Sequence, residues 1–401
     1  MRSNRGPRTK ACIIRVLQAA AVAGLAAALA GAADKEDQGK PMNDNNYIVN
    51  EVKSASPDKA SDKRYMPDLT GKDIKISEKN QYSPGRDLVY YESTRTPGLK
   101  LAMLVTKPAK PSHILAGTHG WHMDIGGFSY LDKPAGKYLR LAVDMRGRKF
   151  SEGKQDCNGW ELYDVIDAVN YAKVFYRELV AEPDVVYFEA GSGGGGNAYA
   201  IIGKFPDFFA ACTAQCGISD YALWYRNDKV GEFRDEMDVW IGRSPDQEPL
   251  AYRARSGLNL LENLCTSLYM VHGETDIRVP ADHARAYVAR AKELGKDSLV
   301  TYRELPNVGT NDHWGRATKE QLALFSRESE ENRVRHTTPV TIPRQGRMIV
   351  GGYLFTKAFS VVLDSIDKTA TLDYDLDKDE FKVTCDGPGT YEIKRIGPPA
   401  N

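Results

Sequence analysis

The sequence predicts a doubly wound α/β fold, a mostly parallel sheet with helices on both faces. Two observations support this. Short apolar, β-branched runs recur between residues 87 and 305, several of them continuous rather than alternating, as strands buried on both faces must be. Stretches with helical apolar spacing separate them, and strand–helix–strand repetition implies parallel crossovers.

The predicted strands are 88–92, 101–106, 113–118, 139–144, 185–189, 209–216, 268–272 and 299–304. Between them, 161–176 carries Leu162, Val165, Ile166 and Val169 at helical spacing, and 281–294 forms a second helix stopped by Gly295. Residues 217–262 break this rhythm. They place Trp224, Tyr225, Trp240 and Tyr252 among many charges and read as a small helical, cap-like insertion near the mouth of a site. The α/β domain so defined spans 87–335. From 336 to 401 the pattern becomes short strands (348–355, 359–363, 369–374, 380–384, 391–394) divided by turn residues such as Asp386, Gly387 and Pro388. This small C-terminal β module is near the lower limit for independent folding and is expected to lean on the larger domain.

The N-terminus reads differently. Arg2, Arg5, Arg8, Lys10 and Arg15 precede an uncharged, Ala-rich run that ends in Ala30-Gly31-Ala32. A basic region, an apolar region and small residues in that order form a secretory signal over 1–32, so a secreted or periplasmic protein is expected. The alternative is a retained anchor, since 18 uncharged residues approach the length of a membrane span. Cleavage leaves 49 bases against 54 acids, a net of −5, which gives no basic field for nucleic acid. Residues 33–86 form a polar leader. Cysteines number six, and five without Cys12, too few and too odd for a disulfide scaffold. Cys212 and Cys216 share one predicted strand, about 13 Å apart, so buried unpaired thiols are expected.

The chemistry concentrates in three places. First, a buried strand runs into Glu189-Ala190-Gly191-Ser192-Gly193-Gly194-Gly195-Gly196 and then into a helix. A nucleophilic serine needs such a sharp strand-to-helix turn, with small residues two positions to either side, here Ala190 and Gly194. Glycine is usual at both, so Ala190 departs by one methyl. The run lacks the Lys-Ser/Thr of a phosphate loop and the spacing of a dinucleotide fingerprint. Second, strand 268–272 ends in Gly273-Glu274-Thr275-Asp276, which offers an acid at a strand's C-terminal end; Glu274 competes with Asp276. Third, strand 299–304 leads to a loop with His313. Serine, acid and histidine in that chain order are the order of the α/β-hydrolase fold. Ser192 as nucleophile, His313 as base and Asp276 as its orienting acid would perform acyl transfer. The loop after strand 113–118, His119-Gly120-Trp121, suggests an oxyanion hole from the backbone N–H groups of Trp121 and Gly193. His119 and His122 lack a third ligand nearby, so no metal centre is expected, and the mechanism needs no cofactor.

The same segments resemble the prolyl oligopeptidase family and its single-domain esterase relatives. The likeness rests on His119-Gly120-Trp121; on Val143-Asp144-Met145-Arg146-Gly147-Arg148 with Gly153; on the Ser192 turn; and on His272-Gly273-Glu274-Thr275-Asp276 through Val279-Pro280, His283-Ala284 and 290–295. It covers about 87–335. It implies an α/β-hydrolase domain whose triad maps to Ser192, Asp276 and His313, with Asp144 and Arg146 organising a strand end. The β-propeller of full oligopeptidases needs several hundred residues, and only the 54 residues 33–86 lie between the expected signal and the domain, so none is expected. The leading function is hydrolysis of carboxylic esters, since an open site without a propeller suits esters of varied shape; the alternatives are exo- or oligopeptidase action on short peptides and, third, non-catalytic binding through the β module. Oligomeric state is not legible.

Overall fold

A computed structural model describes residues 85–125, 136–228, 231 and 233–396. The expected signal peptide and nearly all of the leader lie outside the described residues. Eight strands form one sheet: β1 (Arg86–Glu92), β2 (Lys100–Thr106), β3 (Ile114–Thr118), β4 (Leu139–Val143), β5 (Val186–Gly191), β6 (Phe209–Gln215), β7 (Ser267–Gly273) and β8 (Val300–Leu305). Their spatial order is β1-β2-β4-β3-β5-β6-β7-β8. β1, β2 and β4 pair antiparallel; every pairing from β4 through β3 to β8 is parallel. The doubly wound, mostly parallel sheet is therefore present.

Helices cover it for reasons the sequence carries. α1 (Glu161–Phe175) opens with Glu161 and Asp164 in its first turn and closes on Lys173, which suits the helix dipole. It is buried almost all round, its polar residues Asp164 and Asp167 included, which bond to Ser93 and Thr94. α2 (Gly193–Lys204) follows β5 directly. The insertion holds three short helices, α3 (Tyr221–Asn227), α4 (Arg234–Trp240) and α5 (Pro249–Arg255), then a 3-10 segment at Gly257–Asn263. α6 (Asp282–Glu293) ends before Gly295, whose φ of +66° is cheap only for glycine. α7 (Lys319–Arg335) starts with a capping box between Thr318 and Gln321.

A second, six-stranded sheet follows: β9 (Gln345–Gly351), β10 (Tyr353–Phe355), β11 (Phe359–Leu363), β12 (Thr369–Asp375), β13 (Glu380–Cys385) and β14 (Tyr391–Arg395). The expected single strand 348–355 is broken at Gly352. Its φ of +73° reverses the chain, and a Cβ there would approach the Ile366 backbone to 2.7 Å. Local apolarity continues across the break, so the sequence pattern alone hid it.

The second sheet shares the main core. Tyr353 and Phe355 belong to the same apolar cluster as Val165, Ile201 and Phe205. Tyr353 stacks on Trp160 at 4.6 Å and donates its hydroxyl to the Gly159 carbonyl at 2.7 Å. Asn263 exchanges two 2.7 Å hydrogen bonds with the Ile349 backbone. The buried Lys204 ammonium donates to the Gly351 carbonyl and lies 4.3 Å from the Tyr353 ring centroid; burial pushes its pKa down to about 7.

Tyr353→Ala is expected to lower global stability by about 3–5 kcal/mol, read as a shift of one cooperative denaturant transition. An early, separate loss of the β module with the rest unaffected would contradict a common core.

Candidate active site

The site begins with a strained turn. Ser192 joins β5 to α2 at φ +57° and ψ −122°, outside the regions that L-residues favour, a conformation costing about 1–3 kcal/mol. Its N–H donates to the Gln215 carbonyl on β6 at 2.8 Å, which pins the turn to the neighbouring strand. Close packing demands the glycines. A Cβ on Gly193 would meet the Trp121 nitrogen at 2.6 Å, and one on Gly194 would meet the Ala190 methyl at 2.9 Å. Ala190 is thus accommodated because Gly194 has no side chain opposite it.

The same approach sets the Trp121 main chain directly against Gly193. Among the described residues neither N–H donates to a protein acceptor. His119 holds this loop from below. The Met145 N–H donates to its Nε2 at 3.1 Å, and its Nδ1 faces the Gly120 carbonyl at 3.0 Å. Both contacts require the neutral Nδ1–H tautomer. Burial pushes the His119 pKa down to about 4. His122 turns away to Glu236 of α4 at 2.8 Å, so the two histidines do not converge. The same Glu236 oxygen also accepts the Trp121 indole N–H. One insertion carboxylate therefore clamps the side chain of the residue whose backbone borders Gly193.

Asp276 and His313 come from the loops after β7 and β8. His313 Nδ1 lies 2.6 Å from Asp276 Oδ2, and His313 Nε2 lies 2.9 Å from Ser192 Oγ. Asp276 Oδ1 accepts the N–H groups of Arg278 and Val279 at 3.0 and 3.1 Å, and its side chain is fully buried. The two loops are stitched together by Thr275, whose N–H donates to the Val308 carbonyl at 2.8 Å and whose hydroxyl donates to Gly309 at 2.8 Å. Glu274, the competing acid, instead accepts the Asn307 N–H at 2.8 Å.

The structure therefore brings Ser192, His313 and Asp276 into one hydrogen-bonded chain and places Trp121 and Gly193 beside it. Cys212 and Cys216 are buried free thiols, with pKa values raised by desolvation. Cys216, Asp276 and His313 are near enough to share a metal ion, yet two of the three are already bonded to each other.

Behind the strand end, Asp144 accepts the N–H groups of Ile125 and Phe150 at 3.0 Å each, while burial pushes its carboxyl up to about 7. Arg146 grips both oxygens of Asp164 at 2.6 and 2.7 Å. A recess of about 20 Å³ opens next to Trp121 and Gly193, with Arg148, Glu161, Tyr221 and Trp240 among its walls. Of the four insertion aromatics expected near the mouth, Trp240 lines this recess. Trp224 and Tyr252 are core: Trp224 stacks on Phe233 at 4.2 Å and donates its indole N–H to the Arg278 carbonyl. Sequence reasoning missed Glu236 and Thr275, whose partners lie far along the chain and leave no local pattern.

Residues 143–329 match the prolyl oligopeptidase family. The chain is 30% identical over 156 residues to the uncharacterized peptidase YuxL of Bacillus subtilis, covering 39% of this chain and 23% of that protein. It is 24% identical over 223 residues to esterase LipC of Mycobacterium tuberculosis, covering 50% and 53%. It thus spans about a quarter of the first relative and half of the second. A solved structure from Bacteroides ovatus, described as a dipeptidyl aminopeptidase IV, superposes with a TM-score of 0.51 at 15% identity, covering 65% of this chain and 37% of that one. That likeness establishes the α/β-hydrolase fold. No described helix is long and apolar enough to cross a membrane.

The depressed pKa of His119 gives a signed expectation. Between its unfolded value of about 6.5 and about pH 4, the unfolded chain takes up a proton that the folded loop refuses, so stability falls as pH falls. His119→Gln should remove about 3 kcal/mol of the stability lost between pH 7 and pH 4, measured by denaturant midpoints at each pH. Equal acid sensitivity in both proteins would contradict a neutral His119.

Proposed function

We propose that this chain, which carries an α/β-hydrolase domain similar to that of the prolyl oligopeptidase family, is a serine hydrolase of small carboxylic esters. The carrying observation is the continuous chain from Ser192 Oγ through His313 to Asp276 Oδ2. His313 takes the serine proton through Nε2 while Asp276 holds Nδ1–H and stabilises the imidazolium that forms. The serine attacks the acyl carbonyl, and the N–H groups of Trp121 and Gly193 receive the oxyanion, each donor being worth about 3 kcal/mol of barrier. The leaving alcohol takes the proton back from His313, and water then releases the acyl-enzyme by the same steps in reverse.

Esters are preferred over peptides because the recess beside the two N–H donors takes a single small group. The match of 143–329 to the oligopeptidase family favours a second reading, a peptidase acting on short peptides. The leader pattern at 1–32 supports action outside the cytoplasm, which the mature N-terminus determined by mass spectrometry would test.

A fluorophosphonate probe should label Ser192, with labelling abolished in Ser192→Ala. Turnover of short-chain aryl esters should fall by a factor on the order of 10⁴ or more in Ser192→Ala, and by about 10⁴ in Asp276→Asn, which leaves His313 in the wrong tautomer. Peptide turnover without ester turnover would reverse the ranking; unchanged turnover in Ser192→Ala would end the hydrolase reading.

A further inference from the structure

The recess beside Trp121 and Gly193 contains a cation, Arg148, that forms no close ion pair among the described residues. Other buried guanidinium groups of this chain are matched to acids: Arg146 to Asp164, Arg255 to Asp367 at 2.7 Å, Arg333 to Glu189. Arg148 differs. Among the described residues its guanidinium has no carboxylate partner, and its Nε is buried without an acceptor. A buried donor left unsatisfied is costly, so native chains rarely keep one without a use. The group is also held in place. It lies 4.9 Å from the Trp240 ring centroid, an arrangement that fixes its plane by cation–π attraction.

We propose that this recess is a carboxylate-binding acyl subsite anchored by Arg148, so that the preferred esters carry a free carboxylate on the acyl side of the scissile bond. The proposal rests on the ester reading above and adds its substrate class. Three arguments carry it. The first is polarity: a planar guanidinium fork pairs with a planar carboxylate through two parallel hydrogen bonds. The second is size: the recess is small and walled closely by Arg148, Tyr221 and Trp240. The third is side. The leaving group must lie next to His313 Nε2 to be protonated, yet the recess is bounded by the Trp121 and Gly193 backbones and not by His313. A group entering it is assigned to the acyl half. Glu161, the acid in the same recess, accepts the Asn158 N–H at 2.6 Å rather than pairing with Arg148, and burial raises its pKa to about 7.

The test compares two aryl esters of similar length in the full chain, p-nitrophenyl hemisuccinate and p-nitrophenyl butyrate. The ratio of their kcat/KM values should favour the hemisuccinate by about 10- to 100-fold, the range for a hydrogen-bonded charged pair. Arg148→Gln should collapse that ratio towards one, and Arg148→Lys should keep part of it, since charge remains while the fork is lost. A wild-type ratio near one, or a ratio unchanged in Arg148→Gln, would overturn the subsite. A binding measurement separates this from failure of the ester reading. Glutarate titrated into Ser192→Ala should quench tryptophan fluorescence saturably through Trp240, and Arg148→Gln in the same background should abolish the response. If neither ester turns over but glutarate binds through Arg148, the ester reading fails and the subsite stands. No Arg148-dependent glutarate response at tens of millimolar, or a stronger response to inorganic phosphate, would overturn it.

Discussion

The structure is organised around one costly conformation, the positive φ of Ser192. A residue other than glycine holds that geometry only where its surroundings leave no alternative. Here β5 enters the turn buried, α2 leaves it at once, and the Ser192 N–H is tied to Gln215 on the next strand. The neighbouring glycines exist because the Trp121 main chain and the Ala190 methyl already occupy the space a Cβ would need. The turn thus accounts for Gly193 and Gly194, for the close pass of the His119–Trp121 loop, and for a serine hydroxyl that stands clear of the sheet; Gly195 and Gly196 instead make room for Gly217 and Tyr221.

Parallel topology does the rest of the assembly. Strands β3, β5, β6, β7 and β8 run in the same direction, so the loops at their C-terminal ends converge on one edge. Residues separated by more than a hundred positions then meet without a dedicated scaffold. What local geometry the sheet does not fix is supplied by short-range ties: Thr275 between the Asp276 and His313 loops, His119 under the Trp121 loop, and Glu236 reaching over from the insertion.

Much of this was legible in the sequence where the determining signal is local. Continuous apolar runs marked the eight strands, Gly295 marked a helix stop, and the glycine turn marked Ser192. Asp276 and His313 were findable because each directly follows a strand. Where the signal is non-local, reading failed. The break at Gly352 depends on what lies opposite it at Ile366. The burial of Trp224 and Tyr252 depends on how the insertion folds onto itself, since an aromatic among charges looks the same whether it lines a mouth or fills a core. Arg148 and Glu236 have meaning only through Trp240 and Trp121, their partners 92 and 115 positions away in the chain.

Helix α2 joins two places that are otherwise far apart. Its first residue follows the serine, and its last, Lys204, is embedded against Gly351 and Tyr353 of the second sheet. Twelve residues make a rod about 18 Å long. Such a rod behaves as a strut, stiff along its axis. The C-terminal strands therefore act as its footing, bracing from one end the helix that carries the hydroxyl's neighbours at the other.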